Sequence, residues 1–349
     1  MFSGNLLALA GVEPALSGAV SQYTRIVFAG VILKLQSMII RIHFKAQRIT
    51  WPTFFCQTAA LVLHFAWLEL FSHLGWGFSG ICVATLLAFS TEFVLLTCFL
   101  HSLKSLHPDS IQPFRKEHFA WSDWRDYFKV GCQNVLLMST EWWAGEIMNI
   151  SVTYLGPEKL ATQAILSNTL ALLYLISMGF GSTLTTLIGN SIGDGDAHLA
   201  RQFFKEGMLL SEFINVCLFL LFYLLGSHIL PLFTRDEHIL QLAVATIHYV
   251  CLEALFDGTQ CLLSNALRGL GLVKEAYIIM MLWQWLVFVP IVVAVIVVLV
   301  QQLWAIWVFQ LSVMAGLSLS FAIVLARADW DQIAQRTHQA MQRKILRSQ

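Results

Sequence analysis

Glu141-Trp142-Trp143-Ala144-Gly145-Glu146 lies inside an apolar run that extends from about Val130 to Thr153. At roughly 20 residues or more, such a run crosses a bilayer as a helix. Two acids within it are expensive. A charge at mid-membrane costs about 2.5–3.5 kcal/mol on insertion scales, so an acid there is a functional-site hypothesis by default.

The surroundings are of the same kind. Of 349 residues, 57% are hydrophobic and 12% charged, where a soluble protein has about 25% charged. Mean hydropathy is +0.69. The fold class is therefore all-α: a polytopic membrane helical bundle, with the lipid bilayer as its solvent. Net charge is zero and gives no case for a nucleic-acid partner. The seven cysteines fall in or beside apolar runs, with no CxxC pair and no His cluster, and read as small buried hydrophobes. Met1–Gly18 has no basic n-region and no small-residue cleavage site, so it does not read as a signal peptide.

The runs place spans at about 25–45, 53–73 and 79–101, then at 128–152, 159–186, 206–233, 239–266, 276–299 and 302–326. The polar stretch between the third and fourth divides the chain. The expected organisation is a three-helix region over 1–106, a link over 107–127, a six-helix region over 128–326 and a basic tail over 327–349. The tail carries heptad-like apolar residues and reads as a helix lying on the membrane surface.

Positive charge orients the spans. Three Lys or Arg lie near residue 46, five in 102–129, two in 189–205, two in 267–275 and five in the tail. These alternate links thus hold 17 of the 21 Lys and Arg. The expectation is an outside N-terminus and a cytoplasmic C-terminus. A three-plus-six division is uneven, because many transporters pair repeats of equal helix number. Three further helices ahead of Met1 would even it.

Within the spans the charged residues singled out are Lys34, Glu69, Glu92, Glu141, Glu146, Glu253 and Asp257. Glu253 and Asp257 are four apart and share a helix face. Glu141 and Glu146 are five apart, about 140° around the helix, and face different ways. A buried carboxyl favours its neutral form. One that alternates between neutral and ionised, as its site opens to either side, couples to the proton. A cation that binds only the ionised form then competes with that proton, which is the logic of antiport. Trp142 and Trp143 offer cation–π surface beside the acid.

Plain structural roles stand beside these. They are favoured for Glu69, Glu92, Lys34 and His64, are as good as functional ones for Glu146 and Glu253, and are disfavoured for Glu141 and Asp257. Lys34, in mid-span, calls for pairing with an acid. No HExxH, P-loop, GxSxG or Rossmann fingerprint is present, and neither an enzyme activity, a cofactor nor a metal is expected. Gly189 to Asp196 has the look of a calcium loop but fails the EF-hand spacing, and reads as a cytoplasmic turn.

Together these residues resemble the eukaryotic branch of the multidrug and toxin extrusion (MATE) transporters. A Glu-Trp-Trp-x-x-Glu helix stands at 141–146. The family's eighth-helix Asn is matched by Asn168. Its glycine-rich loop is matched by Gly189-Asn190, Gly193, Gly195, Asp196 and Ala200-Arg201. Its tenth-helix acid is matched by Asp257, eleven residues before Arg268-Gly269-Leu270-Gly271, and Gln47 and Pro52 fit an early helix start. Departures fall at Leu187, Ser177, Met280, Gln284-Trp285 and Phe288-Val289-Pro290.

The resemblance covers nearly the whole chain and begins near the end of the family's third helix. It implies a MATE-type bundle of about nine transmembrane helices: a partial N-lobe and a six-helix C-lobe. It implies export of organic cations or amphiphilic small molecules in exchange for protons, with sodium as the alternative ion. Glu141 and Asp257 are the coupling pair it implies, with Glu146 and Asn168 assisting and Glu253 next in line. The expected protein is a multi-pass monomer of the plasma membrane or of an endomembrane such as the vacuole. The competing expectation is a truncated, non-transporting remnant of such a transporter.

Overall fold

The structure is a computed structural model that describes residues 14–103 and 121–348. Most of the expected 107–127 link therefore lies outside the described residues. The chain divides into two compact units, 1–114 and 115–349.

In the first unit α1 (Pro14–Ala46), α2 (Trp51–His73) and α3 (Gly77–Ser102) follow one another. Pro52 sits in the first turn of α2, where its missing N–H costs nothing. α3 packs along both α1 and α2, while those two touch each other little. The common core is small: Phe44, Cys56 and Leu96 meet where the α1–α2 turn closes.

The second unit contains α4 (Trp121–Thr153), α5 (Pro157–Gly193), α6 (Ala197–Ile229), α7 (Glu237–Gly269), α8 (Val273–Met281), α9 (Leu303–Arg327) and α10 (Trp330–Ser348). α8 continues through π-helical turns at Leu282–Phe288 and Val292–Val300 on either side of Val289–Ile291. α7 is the centre of the unit. It packs most extensively on α5 and α9 and also meets α6, and its second half, Gln260–Leu267, is buried on every side. Helices buried all round are those at the middle of a bundle.

Among the described residues, eight helices are long and apolar enough to cross a membrane. α4, which carries Glu141, is not among the eight. Its 33 residues rise about 50 Å, ample for a bilayer. Its shortfall is in composition, since two acids, Asn134 and Asn149 dilute its apolar run. The protein is an all-α, multi-pass membrane bundle. Its helices extend past the apolar runs because polar end turns are invisible to hydropathy. α6, for example, starts at Ala197, capped by Asp196, which accepts from the Leu199 N–H at 2.9 Å.

The glycine-rich stretch is a turn. Gly193 ends α5, and Gly195 takes a φ of 84°, a conformation that favours glycine. The tail does form a helix, but its apolar side faces protein. Trp330 and Ala334 are buried, the Trp330 ring lies 5.7 Å from that of Phe204, and His338 Nδ1 meets the Gly193 carbonyl at 3.0 Å. Apolar side chains of α10 are thus covered by α5 and α6, where the sequence suggested a membrane surface.

Close helix approach gives one testable consequence. A Cβ at Gly316 of α9 would overlap the Trp283 ring. That indole is held in place, because its Nε1–H donates to Ser320 Oγ at 3.0 Å. Gly316→Ala is expected to lower stability by about 1–3 kcal/mol, the range for overpacking a close-packed site. Thermal unfolding in detergent measures it, and Trp283→Phe in the same background should recover part of the loss.

Candidate functional site

α4 is fixed beside α8 one residue before Glu141. Trp285 Nε1–H donates to the Thr140 carbonyl at 3.2 Å, and Thr140 Oγ1 lies 3.9 Å from Met281 Sδ. Glu141 follows, half-buried, with its carboxylate toward α5 and α7. Tyr174 of α5 donates to Glu141 Oε1 at 3.4 Å. Gln260 of α7 donates to the same oxygen at 3.0 Å. The same Gln260 amide nitrogen donates to Asp257 Oδ1 at 3.1 Å. One primary amide therefore spends both of its hydrogens on two carboxylates from different helices.

The amide oxygen of Gln260 is buried and has no hydrogen-bond partner. It points to a place where a donor would be welcome: a hydroxyl, a protonated carboxyl or a cation. One turn before Asp257 on α7, Glu253 is fully buried, and neither of its oxygens is hydrogen-bonded. Its polar neighbours are Asp257 and Gln310 of α9, and the Gln310 amide oxygen is also unpartnered. A buried charge without a donor is costly, so this pair forms the desolvated floor of the cluster.

The other expected residues lie elsewhere. Glu146 is exposed, on the far side of α4 from Glu141, and makes no hydrogen bond to a described residue. Asn168 is exposed on α5 and is likewise unbonded, so the geometry does not bring it to Glu141. Trp142 and Trp143 are 64% and 62% exposed, and their rings are uncovered. In the first unit Lys34 does pair with an acid: its Nζ is 2.6 Å from Glu92 Oε2. Glu69 pairs with His73 on an exposed face.

Three members of the polar interior escaped sequence reasoning. Gln260 is three residues past Asp257, hence on its helix face, but a neutral amide raises no alarm in an apolar run. Tyr174 is an aromatic in an apolar run, and sequence alone does not aim its hydroxyl at an acid 33 residues away. Glu212 lies in the 206–233 run and belonged with the seven charged residues. It sits by Thr259 and Asn215, and Ser177 Oγ donates to Asn215 Oδ1 at 2.9 Å. Ser177, one of the departures from the family pattern, thus anchors a second polar layer between α5 and α6.

A MatE family profile matches residues 135–296, the segment that holds Glu141, Asp257 and Gln260. The rabbit multidrug and toxin extrusion protein 2 is 24% identical over 335 residues, 95% of this chain and 55% of its own length. The human multidrug and toxin extrusion protein 1 is 26% identical over 292 residues, 83% of this chain and 50% of its own. The crystal structure of the eukaryotic MATE transporter AtDTX14 superposes with a TM-score of 0.89, at 15% identity, over 97% of this chain and 76% of that one. Residues 135–296 are a MatE segment, and the chain has the fold of the MATE transporters. It spans about half the length of the curated MATE relatives it matches. The Glu141–Gln260–Asp257 bridge lies within the matched MatE segment, on helices α4 and α7.

Proposed function

We propose that this chain exchanges organic cations or related amphiphiles for protons, and that Glu141 and Asp257 are the coupling acids. The observation that carries the proposal is the single Gln260 amide donating to both carboxylates. Two acids joined by one donor respond together. With both ionised, the amide nitrogen serves each. When one takes a proton, its hydroxyl becomes a donor, and the unpartnered Gln260 oxygen can accept it after rotation of the amide. Gln260 thus positions the pair in either protonation state.

An organic cation stabilises the ionised pair and competes with the proton, so loading alternates between the two. Glu253 and Gln310 exclude solvent beneath the pair. Glu146 and Asn168, exposed and outside the cluster, are left to contact substrate rather than to exchange the proton. The charge distribution supports an outside N-terminus and a cytoplasmic C-terminus. The coupling ion in this reading is the proton, with sodium as the competitor to be tested.

The test is uptake of a fluorescent organic cation by proteoliposomes under an imposed pH gradient, with and without a sodium gradient. Gln260→Leu removes hydrogen bonds to charged groups worth about 1.5–3 kcal/mol each. It is expected to slow pH-driven exchange roughly tenfold or more, while Gln260→Asn retains part of it. Absence of any gradient-driven flux in the unmodified chain would overturn the transport reading. Wild-type flux in Gln260→Leu would overturn the assigned bridge.

A further inference from the structure

Between α1 and α2, over α3, the first unit contains a groove of about 360 Å³, within the size range of small-molecule sites. It is set at mid-depth in all three helices, where Lys34, His64 and Glu92 occur near their centres. Its floor and walls are largely apolar, with Leu61 and Phe89 among them.

The charges at this groove are unequal in access. Glu92 is reached by two cations: Lys34 Nζ at 2.6 Å and Arg41 Nε at 3.6 Å. The carboxylate side chain is only 4% exposed, whereas that of Lys34 is 33% exposed. The cluster carries one positive charge in excess, and its accessible member is the ammonium, steadied over the Phe89 ring at 5.4 Å. Arg41 remains as counter-ion to Glu92 if Lys34 turns toward a ligand. Glu92 Oε1, buried without a hydrogen bond, marks where that exchange of partners takes place. Nearby, Gln57 is exposed with no hydrogen bond to a described residue. His64, also in the lining, is held through Nδ1 against the Ala84 carbonyl at 3.2 Å.

We infer that this groove is a binding site for an amphiphilic organic anion, a carboxylate or sulfonate on an apolar body, with Lys34 as the residue that takes the anionic group. The site is independent of the Glu141–Asp257 cluster and has the opposite charge preference. A bilayer phospholipid is a poorer occupant, since its phosphate sits at the membrane surface and Lys34 lies about a dozen residues, roughly 18 Å, from the end of α1.

The experiment uses the full chain in phosphatidylcholine nanodiscs, titrated with 11-(dansylamino)undecanoic acid and with its uncharged methyl ester, read by dansyl fluorescence. The acid should bind more tightly than the ester. Lys34→Gln should weaken the acid about tenfold and leave the ester unchanged, and Lys34→Arg should restore the acid. Glu92→Gln, which leaves Lys34 and Arg41 without their carboxylate, should strengthen acid binding severalfold, a gain that no loss of folding produces. Ala60→Trp, which fills the groove, should block both probes. Equal affinities for acid and ester, or wild-type acid affinity in Lys34→Gln, would overturn the assignment. So would displacement of the probe by phosphatidylglycerol in the disc but not by free undecanoate, which would make the groove a lipid site.

Discussion

Asp257→Asn is expected to make cation binding indifferent to pH. Asp257 is buried on α7 and shares the Gln260 amide with Glu141. Asn has nearly the same shape and accepts the same hydrogen bond through its oxygen, so the fold should persist. What it lacks is a second charge state. If proton and cation compete for this pair, the two ligands are linked by a coupling free energy of about 1–3 kcal/mol, equivalent to a 5–150-fold change in affinity. In the unmodified protein, affinity for the cation should therefore fall by that factor from alkaline to acidic pH. In Asp257→Asn the slope should flatten, and uptake driven by a pH gradient should disappear while exchange between cations continues. Glu141→Gln should act in the same direction but less completely, since Glu141 is half-buried and also has Tyr174. An unaltered pH slope in both variants would remove these residues from the coupling role.

The second large effect is structural. Trp307 is the bulkiest fully buried side chain. Its Nε1–H donates to Gln163 Oε1 at 3.0 Å. Gln163 in turn donates to Asn149 Oδ1 at 3.3 Å and to Ser167 Oγ at 3.1 Å. The indole of α9 is thus tied through α5 to the far end of α4, two turns beyond Glu141. Trp307→Ala leaves a cavity and an unpartnered amide oxygen, and it should cost about 3–5 kcal/mol. Trp307→Phe fills most of the space but strands Gln163 Oε1, at about 1–3 kcal/mol. Thermal unfolding of the purified protein separates the two. Similar losses for Ala and Phe would show that the hydrogen bond, not the volume, dominates.

The helices were legible because apolar length is a direct demand of the bilayer, and the turns because Pro52, Gly195 and Asp196 announce them. The acids were legible because charge in hydrocarbon is costly wherever it occurs. What joins them was not. Gln260 is one amide among many, and only the approach of α4 to α7, 119 residues apart in the chain, gives it two carboxylates. Lys34 demanded an acid, yet Glu69, Glu92 and others were available. The packing of α1 on α3 chooses Glu92. Asn168 and Glu146 mark the reverse case. Their identities fit a polar site, but their places on the helix circumference, about 100° per residue, leave them exposed.

The seating of α10 has a mechanical meaning. Its helix rests on the turn between α5 and α6 and on the start of α6 at three separate points: Trp330 on Phe204, Asp331 on Arg201 at 2.7 Å, and His338 on the Gly193 carbonyl. Three points of support fix a rigid body. Splaying the ends of α5 and α6 would break these contacts, so α10 ties the two helix ends together. A spectroscopic label at the exposed Gln335 would accordingly report on that turn from outside it, like a pointer fixed to a gear.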